Sequence, residues 1–301
     1  MKKFIVTTTI NQPTRATMNF AAMAGWTLVV VGDKKTPHEA YKALDCVYLS
    51  PDIQEHGWKE LSDTIGWNSI QRRNIGFVYA YEQGADVIAT VDDDNIPYED
   101  WGQDLMVGKN VTVDYYQPGT DVFDPLSVTE HSHLWHRGFP IQQVPHREVT
   151  YMGQEERKCL IQADLWDGDP DIDAIARLTY KPCIKWAPRK PYAAWAISPF
   201  NSQNTFLARE VIPYYTVMPH VGRMDDIWGG YIAQLQFPQS VVYNRASVYQ
   251  DRNVQDLVTN LEKEVIGYRQ TQQLIYNLNQ WKKIVPEKTV EFYEAYRRCF
   301  K

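Results

Sequence analysis

The stretch Ala89 to Pro97, "ATVDDDNIP", ends an apolar run in three adjacent carboxylates, Asp92, Asp93 and Asp94, with a proline three residues on. Neighbouring like charges favour a site that supplies countercharge, either bulk water or a metal. Side chains alternate along an extended strand end, so Asp92 and Asp94 fall on one side and Asp93 on the other. Two carboxylates converging there make a hard-oxygen site for Mn2+ or Mg2+, which keeps waters and takes further ligands from substrate phosphates. A metal so held neutralises a diphosphate as it leaves. The plainer alternative is an acidic loop or a helix cap. Upstream, Arg72-Arg73-Asn74-Ile75-Gly76 stands early in a helical segment. Its arginines can meet diphosphate oxygens or pair with Asp92, and Gly76 allows close approach to other backbone. A solvated helix face is the competing reading of that segment.

The elements that must position these groups alternate in type. Phe4 to Thr9 reads as a strand, Thr17 to Ala24 as a short helix, and "WTLVVV" at Trp26 to Val31 as a continuous apolar strand closed by Gly32-Asp33. Asn68 to Gln83 carries a helical stripe of Ile70, Ile75, Phe77, Val78 and Tyr81, with Gly84 in the C′ position. Asp86 to Val91 is then a short buried strand, and the aspartates sit at its carboxyl end. Open α/β sheets bind ligands outside the carboxyl ends of their strands. From Asp114 to Lys190 the composition predicts long ordered loops around short strands, without low-complexity tracts or internal repeats. A helix opens at Asp225-Asp226 and runs to Leu235. A longer one, about Asp256 to Lys283, reads as packing rather than chemistry.

Composition frames this reading. The chain has 301 residues, 44% of them hydrophobic and 13% aromatic, enough to bury a sizeable core. Its net charge of −6 argues against a phosphate-backbone partner. Four cysteines without a CxxC pair suggest neither a zinc knuckle nor a disulfide framework, and fit a cytoplasmic protein. The start, Met1 to Thr7, passes from a short apolar run into Thr-Thr-Thr-Ile-Asn and reads as a first strand, not a leader. No window reaches the roughly 18 apolar residues of a membrane span, so membrane contact would be peripheral.

Arg-Asn-x-Gly on a helix, followed by a strand ending in Asp-Asp-Asp, resembles the nucleotide-sugar-binding half of GT-A glycosyltransferases. The likeness narrows to the STELLO-type glycosyltransferase domain and the reversibly glycosylated polypeptides, which are UDP-arabinopyranose mutases. Its blocks are "VDDDN" at Val91 to Asn95, "LWHRGFP" at Leu134 to Pro140, "SPFNSQNT" at Ser198 to Thr205 and "HVGRMDDIWGGYIAQ" at His220 to Gln234. The last two are more similar to the STELLO domain, whereas "ADLWDGDPDIDA" at Ala163 to Ala174 is more similar to the mutases. Resemblance spans about residues 4 to 250. It implies an α/β fold with a mixed, mainly parallel, helix-flanked sheet: a nucleotide-sugar half to about residue 110, an acceptor half to about 250, and a helical extension over 251–301.

The same resemblance implies roles. Asp92 and Asp94 would organise the metal and ribose, and His220 would add a third metal ligand. Thr8, Thr9, Asn11, Asp33, Asp93 and Asn204 would contact the nucleotide sugar, with Arg72, Arg73 and Asn74 near its diphosphate. Asp225 and Asp226, at a helix start, can anchor acceptor hydroxyls, and one can act as general base. By resemblance Asp226 is the preferred base; plain N-capping explains one aspartate but not two. Arg137 matches the mutase arginine implicated in reversible glycosylation, while a buried salt bridge explains it equally well. The preceding Leu134-Trp135-His136 departs from the mutases. His131, His133 and His136 suit a polar loop better than zinc. Trp166, Trp186, Trp195 and Trp228 are either sugar-stacking platforms or core. The implied function is metal-dependent transfer from a nucleotide sugar, a UDP-sugar first among them, to a glycan or other hydroxyl acceptor. A UDP-sugar mutase and a non-catalytic scaffold in a glycan-synthesis complex are the alternatives. An oligomer remains open.

Overall fold

The computed structural model describes residues 1–252 and 255–300. Its strands are β1 (Lys3–Thr9), β2 (Thr27–Gly32), β3 (Val47–Leu49), β4 (Val87–Val91), β5 (Asn95–Pro97), β6 (Asn110–Pro118), β7 (Val149–Lys158), β8 (Ile161–Gly168), β9 (Tyr192–Ala194), β10 (Asn204–Ala208) and β11 (Val241–Gln250). The helices are α1 (Arg15–Ala21), α2 (His38–Tyr41), α3 (Pro51–Gly57), α4 (Lys59–Ile65), α5 (Arg73–Glu82), α6 (Ala174–Tyr180), α7 (Asp225–Ala233), α8 (Leu257–Tyr276) and α9 (Glu287–Arg298). One sheet takes up the strands in the order β3-β2-β1-β4-β10-β8-β11-β9-β6-β7, with β5 paired to β11.

The first four strands of that order pair in parallel. A parallel strand covered on both faces needs an unbroken apolar run, and this is how β2 (TLVVVG) and β4 (VIATV) read. β10 then enters antiparallel to both β4 and β8, and joins this wall to the mixed second half. The fold is the mixed α/β class expected from the sequence, and the long helices follow β11. Because β1, β2 and β4 share a direction, their carboxyl ends emerge together. Thr8 to Asn11, Asp33 and the three aspartates are thereby gathered on one edge.

Gly76 earns its place by close packing. A Cβ there would stand 2.5 Å from Val6 Cγ1 and 2.8 Å from Val31 Cγ2, so α5 lies directly on β1 and β2. α7 is fixed more tightly still, since a Cβ on Gly229 would meet the Thr216 carbonyl oxygen at 1.8 Å. The extension is part of this packing. Glu264, Gly267, Thr271 and Leu274 of α8 are buried on one face, and Trp228 Nε1 of α7 donates to Thr271 Oγ1 at 3.0 Å. Among the described residues no helix is long and apolar enough to cross a membrane.

Alanine gains helix propensity over glycine but at position 76 overfills a β-branched layer. Gly76→Ala should lower the unfolding free energy by about 1–3 kcal/mol in urea denaturation; unchanged or raised stability would contradict the close approach of α5.

Candidate functional site

Two concavities open at the strand ends. The smaller, about 220 Å³, is lined by Thr8, Thr9, Ile10, Asn11, Asp33 and Asp93. The larger, about 490 Å³, is lined by Asp92, Asp94, Arg137, Asp225 and Asp226 among others. Asn68, Ser69 and Ile70 border both and form the divider between them. The turn after β4 therefore sends Asp93 to one cavity and Asp92 and Asp94 to the other. The expected extended strand end is absent, since β4 stops at Val91 and residues 93–94 form the turn.

Asp33 holds the divider. Its carboxylate accepts from the backbone N–H of Asn68 at 2.8 Å and of Ser69 at 3.0 Å. Asp93 is fixed by β1: Thr9 Oγ1 donates to its Oδ2, Asn11 Nδ2 does so at 2.9 Å, and Thr14 Oγ1 donates to its carbonyl oxygen at 2.5 Å. Thr8 Oγ1 donates to the Val31 carbonyl at 2.8 Å. Arg73 reaches the larger cavity's wall, with Nη2 2.5 Å from Asp92 Oδ1 and Nη1 donating at 2.8 Å to both Ser202 O and Ser202 Oγ. Burial raises the Asp92 carboxyl although Arg73 opposes it.

The deepest feature is a clasp around Arg137. Its Nε lies 3.0 Å from both oxygens of Asp171 and its Nη2 lies 2.8 Å from Asp171 Oδ2. On the other side Nη1 and Nη2 donate to Asp226 at 2.9 and 3.1 Å, and Nη1 also reaches the Arg223 carbonyl. Asp226 additionally accepts from Ser202 N–H at 2.8 Å and Ser202 Oγ at 3.0 Å. Burial alone would raise the Asp226 carboxyl, but Arg137 and the Ser202 N–H hold it below the usual carboxylate range. Asp171 is likewise held well below the usual carboxylate range, Arg137 again outweighing burial. Asp225 differs. It lies 3.7 Å from Arg137 Nη1, its Oδ2 accepts from Gln71 Nε2 at 2.8 Å, and burial together with adjacent Asp226 pushes it up to about 7.

Several expectations need correcting. Arg72 is fully buried on the far side of the turn; its donors go to Gln54 Oε1, Ser62 and the Gly66 carbonyl, and its guanidinium stacks 3.6 Å over the Trp67 ring. It has no reach to a diphosphate. Asn74 stitches α5 to Val217, donating to its carbonyl at 2.7 Å and accepting from its N–H at 2.9 Å, and borders neither cavity. Asn204 is likewise consumed, between Trp101 Nε1, the Leu165 carbonyl and Ser247 Oγ. Arg137 does not offer a free fork for a diphosphate, because its N–H groups are spent within the clasp. Trp166, Trp186 and Trp228 are core; Trp195 is exposed but lies away from both cavities. His220 is exposed on the larger cavity's rim. Among the described residues, no group of three His, Cys, Asp or Glu is placed to hold an ion, so Asp92, Asp94 and His220 do not form the expected ligand set. Two carboxylates completed by waters and phosphate oxygens still suit Mn2+ or Mg2+.

The structure adds other groups to this site. Asp171 lies inside the "DGDPDIDA" block, whose local pattern does not single it out from its neighbouring aspartates, and uncharged Gln71 stands beside two arginines that carry the stronger signal. Asn260 and Lys263 reach the larger cavity from α8, although nothing in their local pattern marks them.

No family model matches the chain. It is similar to two curated proteins of Arabidopsis thaliana. With "Probable glycosyltransferase STELLO2" it shares 24% identity over 294 residues, covering 86% of this chain and 38% of that one. With "Probable glycosyltransferase STELLO1" it shares 24% identity over 225 residues, covering 68% of this chain and 29% of that one. The chain thus spans well under half the length of these relatives. Among solved structures, glucosyl-3-phosphoglycerate synthase from Mycobacterium tuberculosis, in complex with phosphoglyceric acid, aligns over 90% of this chain and 77% of its own with a TM-score of 0.45 and 12% identity.

Removing one partner of a buried charge pair strands the other. Arg137→Ala should cost about 3–5 kcal/mol in chemical denaturation, and Arg137→Lys should recover little because an ammonium lacks the fork. A loss within about 0.5 kcal/mol would mean that Arg137 does not carry the clasp.

Proposed function

We propose that this chain transfers a sugar from a nucleotide-sugar donor, a UDP-sugar before others, to a hydroxyl acceptor. One observation carries the reading: a single acidic turn serves both cavities. In the smaller, Asp93, Thr8, Thr9 and Asn11 beside the Asp33-held divider suit a nucleoside, whose ribose hydroxyls donate to carboxylates. In the larger, Asp92 and Asp94 would meet a diphosphate continuing past the divider, and Asp225 and Asp226 line the same cavity. The similarity to proteins named as probable glycosyltransferases supports the same class.

A divalent ion bound through Asp92 and Asp94 would offset the charge developing on the departing diphosphate. The rest falls to side chains. Arg73 holds Asp92 in place, and Gln71 orients Asp225. We assign the general base to Asp225 rather than Asp226. Asp226 is locked as an anion by Arg137 and Ser202, whereas a carboxylate whose pKa lies near the working pH can both take and release a proton. The acceptor hydroxyl gives its proton to Asp225 as its oxygen bonds to the anomeric carbon. The bond from that carbon to the diphosphate oxygen breaks, and the nucleoside diphosphate leaves with the electron pair.

Thermal-shift screening of UDP-, GDP- and dTDP-sugars with and without Mn2+ tests the donor, since a ligand of the native state raises its melting temperature. A metal-dependent shift with one nucleotide is expected, and Asp94→Asn should abolish its metal dependence; no shift with any nucleotide sinks the reading and favours a scaffold.

Because the base must be ionised, turnover should rise with pH through about 7 and fall below it. Asp225→Asn should lower kcat by about 10²–10⁴-fold and remove that limb, as read from a pH–rate profile. An unchanged profile would take the base away from Asp225.

A further inference from the structure

Of the further cations of the larger cavity, Arg223 and Lys263 come from elements apart from the acidic turn, whereas Arg252 lies beside it, with Asp251 N–H donating to the Asp94 carbonyl at 3.0 Å and the Asp94 carboxylate acting on its guanidinium. Arg223 belongs to the turn Gly222–Met224 before α7, Arg252 follows β11, and Lys263 stands on α8. None of them borders the smaller cavity. Asn260 and Lys263 are three residues apart on α8, hence on one helix face, and both line the larger cavity.

Two of the cations are braced from behind. Arg223 Nε donates to buried Glu264 Oε1 at 2.9 Å and its Nη2 lies 3.6 Å from Asp171 Oδ1. Arg252 Nε lies 3.2 Å from Asp169 Oδ2, and its Nη2 donates to Gln250 Oε1 at 3.0 Å. Each guanidinium keeps Nη1 clear of these contacts, and a planar fork held at a fixed angle is preorganised for an oxyanion. Lys263 is exposed, and neighbouring Glu264 is paired with Arg223. The donor diphosphate already has countercharge in the ion that Asp92 and Asp94 are suited to hold. Three further cations on other elements leave room for a second anion.

We propose that Arg223, Arg252 and Lys263, with Asn260, form an anion subsite that receives a phosphate or carboxylate group carried by the acceptor. That the anion is a second one, carried by the acceptor and not by the donor, rests on the transfer reading; the anion subsite itself stands on the charges. A charged acceptor held there would present its hydroxyl to the wall that bears Asp225.

The test titrates the protein with inorganic phosphate, and separately with formate, while saturating UDP and Mn2+ occupy the nucleotide cavity, following the melting temperature. A shift that persists under UDP is expected. Lys263→Met should raise the apparent phosphate Kd roughly tenfold, and Lys263→Arg should restore most of the affinity. A response to phosphate alone identifies a phosphorylated acceptor, and a response to formate identifies a carboxylate; either supports the subsite. The proposal is overturned if neither anion shifts the protein, if Lys263→Met responds as wild type does, or if UDP abolishes the response, which would assign these cations to the donor diphosphate. Should UDP itself give no shift, the transfer reading fails alone, and the Lys263 dependence of the phosphate response in the unliganded protein still decides the subsite.

Discussion

The arrangement around the larger cavity depends on one buried guanidinium shared by two carboxylates. Arg137 comes from a loop after β6, Asp171 from the segment after β8, and Asp226 from the first turn of α7. Charges of this kind are costly to bury singly, and they become tolerable when each lone pair and N–H finds its partner. The clasp also extends outward: Ser202 bonds both Asp226 and Arg73, and Arg73 pairs with Asp92. A chain of fixed charges thus runs from the far side of α7 to the acidic turn.

That chain explains how adjacent identical side chains acquire different behaviour. Asp225 and Asp226 follow each other in sequence, and each is buried. What separates them is the number of donors each one faces, two side chains and a backbone N–H for Asp226 against Gln71 and a more distant Arg137 for Asp225. Like charges in contact push their proton affinities apart, and the better-solvated anion takes the ionised role. The acidic turn is resolved by direction instead. Asp93 is tied to β1, and Asp92 to α5.

The helical extension takes part in the site as well as in the packing. Its buried face is set by Glu264, Gly267, Thr271 and Leu274, with Met224 pressed against Gly267. A helix anchored on that face necessarily turns Asn260 and Lys263, from the adjoining turn, toward the turn that precedes α7. Its contribution to the cavity is therefore a by-product of where it packs, fixed by Gly267 against Met224 and by buried Glu264, which accepts from Arg223 and the Ala174 N–H.

Much of the frame was legible in the chain itself. Continuous apolar runs at Thr27–Gly32 and Val87–Val91 specify buried strands, because only a strand covered on both faces can dispense with alternation. The separation of Asp93 from Asp92 and Asp94 was expected from a period of two, but β4 ends at Val91 and a turn at 93–94 makes that separation instead. Whether a charged or polar side chain is used up inside the protein is a different kind of quantity. Arg72 and Arg73 are neighbours of the same type, yet one is spent on Gln54, Ser62 and Gly66 while the other reaches Asp92. Asn74 and Asn204 look like ligand contacts and are backbone stitches. Their partners lie up to 143 residues away along the chain, so no local pattern encodes them. The sequence by itself determined which groups stand at the strand ends; the tertiary structure alone decided which keep a free face, because burial and pairing depend on segments that only folding brings together.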